Sequence, residues 1–162
     1  MAKNLNKSII RFKEVRHIKN PVVLAKSIYN DFLYLSEYEE LQHNLDEIVR
    51  LLTNDNFIGF FAFNQENKMI GYLVGEEKRL SDSRIVYYIS YPVVKPEYRK
   101  HKIGKKLMNN AINMCSNTGY AFIILICDTE NKVAMNFYHK YGFIPDPLIR
   151  RNDRHEVLCL YL

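Results

Sequence analysis

The 162-residue sequence contains no apolar run approaching the roughly 20 residues that a bilayer-spanning helix needs, so no membrane partner is expected. Glycine and proline are sparse, at six and five, and no stretch rich in them divides the chain. No internal repeat interrupts it either, so one domain over residues 1–162 is expected. Cysteine is limited to Cys115, Cys127 and Cys159, odd in number, widely spaced and set in apolar runs. That excludes a fully paired disulfide framework and predicts buried free thiols in a reducing compartment. No pair of histidines or cysteines has a recognisable metal-site spacing, so no metal is expected. The opening MAKNLNKSIIRF carries charge but no long apolar core, which argues against a signal peptide. A soluble, cytoplasmic protein is the expectation.

What is present is a 48% hydrophobic content with 13% aromatics, the composition of an ordered globule. The formal net charge of +5 suits an acidic partner without naming one. Alternation in SIIRFKEVRH predicts a first strand over residues 8–17, stopped at KNP. Pro21 suits the first turn of a helix reaching about Ser36, and a second helix is expected over residues 37–52. FIGFFAF and MIGYLVGEE flank the turn NQENK as a hairpin, and RIVYYISYPVV is a further strand. Ile103, Leu107, Ala111 and Met114 recur at helical spacing, placing a helix from about Ile103 to Asn117 with Gly119 as its left-handed cap. YAFIILIC is continuously apolar, as a strand covered on both faces would be. NKVAMNFYHKYGF reads as a short helix that Asn131 starts and Gly142 ends, and HEVLCLYL as the last strand. The order β–αα–βββ–α–β–α–β predicts an α/β fold, a mixed sheet with helices on both faces and one strand–helix–strand crossover.

The segment YRKHKIGKKLM sits at the start of that crossover helix and presents an electrostatic conflict. Arg99, Lys100, Lys102, Lys105 and Lys106 crowd the end of a helix that already carries about half a positive charge. A phosphate-bearing ligand resolves it. The free backbone N–H groups of Lys100, His101, Lys102, Ile103, Gly104 and Lys105 can converge on a diphosphate, with Arg99 and the helix dipole stabilising its charge. Gly104 keeps a side chain from standing between backbone and phosphate. A solvated basic patch and a nucleic-acid contact are the competing readings of this stretch alone. The loop lies at the carboxyl end of a strand, where open α/β sheets usually take their ligands.

The segment VVKPEYRKHKIGKKLM, followed at a distance by NKVAMNFYHKYGF, closely resembles the GCN5-related N-acetyltransferase (GNAT) superfamily. That family's loop reads Arg/Gln-x-x-Gly-x-Gly/Ala and binds the pyrophosphate of acetyl-CoA. Arg99 and Gly104 match its ends, and Lys102 replaces its first glycine. A lysine there can still present its N–H if its backbone dihedrals are ordinary, and its ammonium can add a contact to phosphate. The second segment matches the family's Asn, Ala, Phe-Tyr and Gly-Phe pattern at Asn131, Ala134, Phe137, Tyr138, Gly142 and Phe143. The resemblance covers about residues 9–162, the first two helices matching in type and position only. It implies a mostly antiparallel central sheet whose crossover strands splay apart. Val93 and Val94 would then offer backbone groups to the pantetheine arm, which behaves like a short added strand. Pro92, lacking a donor, belongs at a bulge or an unpaired edge of that strand; a tolerated edge proline is the plainer reading.

By this resemblance the protein is expected to be an acetyl-CoA-dependent N-acetyltransferase acting on a primary amine of a small molecule or peptide by direct attack. Tyr138 would be the general acid that protonates the departing thiolate, its ordinary pKa near 10 keeping it protonated at pH 7. The plainer alternative is a core or rim tyrosine, and Asn131 is a helix cap whether or not it also bonds the pantetheine. No general base is named. Ile126 stands where many relatives carry a glutamate, Tyr87, Tyr88 or Ser90 would line a water chain, and Asp128 is a weaker candidate. His101, His139 and Cys127 read as polar surface or buried thiol. Asp31, Glu37, Glu39, Glu40, Asp46 and Glu47 suggest an acidic rim suited to a cationic acceptor. The alternative function is a non-catalytic acyl-CoA-binding module, against which Tyr138 argues. No nucleic-acid partner is expected, for want of a stacked-aromatic motif or recognition helix.

Overall fold

The computed structural model describes residues 10–162, the side chain of Glu40 excepted. Its strands form one seven-stranded sheet in the order β1-β2-β3-β4-β5-β7-β6. They are β1 (Arg11–Val15), β2 (Phe57–Phe63), β3 (Met69–Arg79), β4 (Ile85–Val94), β5 (Phe122–Asp128), β6 (Ile144–Pro145) and β7 (His155–Tyr161). The helices are α1 (Pro21–Asp31), α2 (Leu45–Thr53), α3 (Ile103–Thr118) and α4 (Lys132–Tyr141). Every pairing is antiparallel except β4 with β5, as expected of a mixed, mostly antiparallel sheet. Ser8 and Ile9 of the expected first strand lie outside the described residues.

Strand alternation sorts the core onto two faces. On β2, Ile58, Phe60 and Ala62 meet Leu107, Met108 and Ala111 of α3, while Phe57 and Phe61 meet Ala25, Ile28, Ile48 and Leu51 of α1 and α2. Gly119 (φ 84°) and Gly142 (φ 95°) end α3 and α4 in the left-handed conformation, as anticipated.

The two N-terminal helices are shorter than their periodicity suggests. α1 stops at Asp31, where Phe32 turns its ring edge-on to Tyr91 at 5.0 Å, and residues 33–37 form a 3₁₀ turn. Phe32 and Leu35 are three residues apart, a spacing that fits a 3₁₀ turn as well as an α-helix. α2 starts only at Leu45, because the Asn44 side chain accepts from the Glu47 N–H at 2.9 Å and Gln42 adopts φ 49°. The two-residue strand β6 was not expected; it pairs with Leu158 and Cys159.

The crossover strands do splay. β4 and β5 pair only at Tyr87–Ile123, Tyr88–Ile124 and Ile89–Leu125. Past Ile89 the β3–β4 register slips at Ser90, so that Tyr91 faces Val74 while Ile89 faces Gly75. Such a bulge bends its strand. Gly75 permits it: a Cβ there would lie 2.2 Å from the Tyr88 carbonyl oxygen. The bend carries the rest of β4 away from β5.

Candidate active site

The splay opens into a cleft of about 1010 Å³ between β4, the basic loop, α3 and α4. Lys95 N–H donates to the Ile70 carbonyl at 2.9 Å, which sets the alternation of the preceding strand. Residues 93 and 91 therefore turn their backbone groups to β3, and residues 94 and 92 turn theirs to the gap. Pro92 thus faces the side where no strand asks it for a donor, which accounts for a proline in mid-strand. Of the two valines, Val94 presents its main chain to the gap, and its carbonyl accepts from Arg99 Nε at 3.0 Å. Val93 lines the cleft with its main chain committed to β3.

The loop after β4 delivers α3 with its first turn bare. Among the described residues no side chain caps α3, and no acid lies in its first turn. The first bond into the helix runs from Lys106 N–H to Lys102 O at 3.0 Å, so the N–H groups of Ile103, Gly104 and Lys105 have no acceptor within the helix. Arg99, Lys100, Lys102, Ile103, Gly104 and Lys105 all line the cleft; His101 does not. The backbone at Lys102 does not meet the condition of ordinary dihedrals: it sits at φ 61°, ψ 20°, and Lys100 at φ 67°. The left-handed region crowds a Cβ against the carbonyl, which is why a glycine suits position 102. At Gly104 an added Cβ would meet Val94 Cγ2 at 3.6 Å and Phe137 Cζ at 4.0 Å. The space is real, and it is cleft.

α4 forms the opposite wall. Asn131 lines the cleft and caps the helix, its side chain accepting from the Ala134 N–H at 3.1 Å. The buried face of α4 is Met135 and Tyr138, while Ala134, Phe137 and Tyr141 are half-buried against the core. Tyr138 is 7% exposed, its ring packed against Phe137 and Phe143 at 5.5 Å, and it also lines the cleft. Burial first, then the nearby Cys127 and Tyr34, raise its pKa well above the usual phenol value. Cys127 is itself pushed up to about 11 by burial and by Asp128. All three cysteines are free and buried.

Several other candidates are spoken for. The Tyr87 hydroxyl donates to the Ile58 carbonyl at 2.7 Å inside the core. Burial would raise the Asp128 pKa, but hydrogen bonds from Arg154 and the Glu130 N–H outweigh it and hold the carboxylate below its ordinary range. Asp31 binds Lys95 at 2.7 Å and accepts from Tyr72, and Glu47 binds Arg50. The acidic rim is therefore thinner than its sequence suggests, with Glu37, Glu39 and Asp46 exposed. No group of three or more His, Cys, Asp or Glu among the described residues could hold a metal ion. Two contributors went unnoticed in the sequence. The Tyr141 hydroxyl lies 3.1 Å from Lys105 O and 3.0 Å from Asn109 Oδ1, fastening α4 to α3. Tyr34 reaches the neighbourhood of Tyr138 and Cys127 from the 3₁₀ turn after α1.

The sequence model of the acetyltransferase (GNAT) family matches residues 24–143. Among curated relatives, the spermidine N(1)-acetyltransferase of Thermoplasma acidophilum is 33% identical over 101 residues, covering 61% of this chain and 58% of that protein. N-alpha-acetyltransferase 50 of Danio rerio is 26% identical over 137 residues, 84% of this chain and 68% of that protein. The matched stretch falls to 38% of the length of another curated relative, and for several it is less than two thirds. In three dimensions the chain is similar to Arabidopsis thaliana NAA60 in complex with a bisubstrate analogue. The TM-score is 0.70 at 14% identity, over 93% of this chain and 98% of that one.

Proposed function

We propose, since the chain belongs to the acetyltransferase (GNAT) family, that it transfers an acetyl group from acetyl-CoA to a primary amine. The observation that carries this reading is the splay itself. Unpaired β4 main chain, a bare helix N-terminus and a buried tyrosine all line one cleft. An elongated thioester with a diphosphate at one end fits that arrangement: the pyrophosphate over residues 99–105, the pantetheine beside Val94, the thioester near Tyr138. Asn131 and Val93 contribute to the wall.

The step is direct. A neutral amine attacks the thioester carbonyl, the C–S bond breaks, and the thiolate takes the Tyr138 phenolic proton. The tyrosinate then recovers a proton from the acetylated nitrogen by way of water. Burial raises the Tyr138 pKa, which keeps the phenol protonated until the thiolate departs. The acceptor is a polyamine-like small molecule or a peptide amine, the classes that the spermidine and N-alpha relatives are named for.

Acetyl-CoA-dependent thiol release, measured with spermidine and with short peptides bearing free N-termini, tests the function. Turnover with one class is expected, and in Tyr138→Phe kcat should fall roughly 100-fold with cofactor affinity little changed. Absence of turnover with both classes, or wild-type turnover in a folded Tyr138→Phe protein with chemistry rate-limiting, would refute the activity or the acid role respectively.

A further inference from the structure

We infer that Lys105 and Lys140, one from each wall of the cleft, form a second anion site that holds the 3′-phosphate of coenzyme A and selects the 3′-phosphorylated cofactor. This rests on the cofactor reading above. Arg99, Lys100, Lys102, Lys105 and Lys140 line the cleft, and no carboxylate among the described residues does. A pyrophosphate brings about two negative charges, and backbone N–H groups with the helix dipole already suit it. Arg99 and the two left-handed lysines flank that loop, so the positive charge on Lys105 and Lys140 is surplus to a diphosphate.

The two surplus lysines stand on helices that a specific bond ties together. The Tyr141 hydroxyl reaches Lys105 O at 3.1 Å, fastening the end of α4, which carries Lys140, to the first turn of α3, and both lysines line the cleft. Neither ammonium group has an ion-pair or hydrogen-bond partner among the described residues. Holding two like charges at one end of a cleft is unfavourable until an anion comes between them. A phosphate monoester, with its second pKa near 6, supplies nearly two negative charges at neutral pH. Together with the pyrophosphate that makes about four, against five cations in the lining. The charge balance calls for a ligand with both groups.

Calorimetric titration of the full chain with coenzyme A and with 3′-dephospho-coenzyme A reads this directly as a ratio of affinities. The wild-type protein should prefer coenzyme A about tenfold at low salt, and the preference should shrink as salt is raised. Lys140→Met should cut the ratio to about threefold or less, and the Lys105→Met/Lys140→Met pair should bring it near one. Lys102→Gly, at the diphosphate loop, should change both affinities alike and leave the ratio. Equal wild-type affinities, or a ratio that survives the double substitution, would overturn the second site while the cofactor reading stands. Failure of both ligands to bind the folded wild-type protein would overturn the cofactor reading and this inference with it.

Discussion

Replacing Lys102 by glycine should make the protein more stable, although glycine is among the poorest residues for order. Lys102 lies at φ 61°, ψ 20°, where an L side chain costs roughly 1–2 kcal/mol. Glycine removes that cost and adds about 0.4–1 kcal/mol of unfolded-state freedom. The net gain is about 0.5–1 kcal/mol, a Tm rise of about 1–4 °C for a domain of this size. Lys106→Gly is the control, four residues on and inside α3, where the same exchange should cost about 1 kcal/mol. Lys100→Gly, at φ 67°, should follow Lys102. Thermal melts without ligand at constant pH and salt give the sign. A Lys102→Gly protein that melts below wild type, as Lys106→Gly should, refutes the strain argument. Coenzyme A affinity should move the opposite way, falling by at most about 1 kcal/mol as one exposed cation is lost.

Gly104→Val should fold, since its new Cβ starts 3.6 Å from Val94 Cγ2, yet weaken coenzyme A at least about tenfold by filling the cleft; calorimetry on the folded variant checks both halves. Asp146, its side chain fully buried and gripped by Arg84 at 2.8 Å, is held down to about 2, first by Arg84 and then by the Leu148 and Ile149 N–H groups. A carboxylate depressed in the folded state stabilises fully above its unfolded pKa near 3.9, and that contribution drains away as pH falls towards 2. Asp146→Asn should therefore lose about 2 kcal/mol at pH 7 and flatten the acid limb between about pH 4 and pH 2, read from denaturant midpoints across that range.

Local signals in the sequence were reliable where one residue decides a conformation. Gly119 and Gly142 took the left-handed caps, Asn131 took the N-cap, and the continuous apolar run of β5 lies between two covered faces. They failed where a distant contact decides. α1 ends where Phe32 docks on Tyr91, 59 residues on in the sequence and invisible to any local pattern. His43 then secures the segment that was expected to be helical. Its Nε2 donates to the Tyr29 carbonyl at 3.2 Å, which leaves Nδ1 to accept from the Tyr91 hydroxyl at 3.1 Å. A periodicity of three or four cannot reveal either docking. The cap at Asn44, with Glu47 three residues on, was available and would have placed the start of α2 correctly.

The site divides along the same line. Loop and helix positions follow from chain order, so Arg99, Gly104, Asn131 and Tyr138, which the family resemblance had grouped, line one cleft, and His101 alone of the named loop residues does not. The splay needed more than Pro92. Its cause is a bulge at Ser90 that only a glycine opposite can admit, and Gly75 belongs to another strand. Lys102 combines both lessons. Its identity departs from the family's glycine, while its dihedral angles retain the shape for which glycine is suited. The loop geometry has been kept with a side chain that resists it, and that lysine lines a cleft with four other cations and, among the described residues, no carboxylate. Backbone strain accepted in exchange for one more positive charge is what a site built for a multiply charged anion would select.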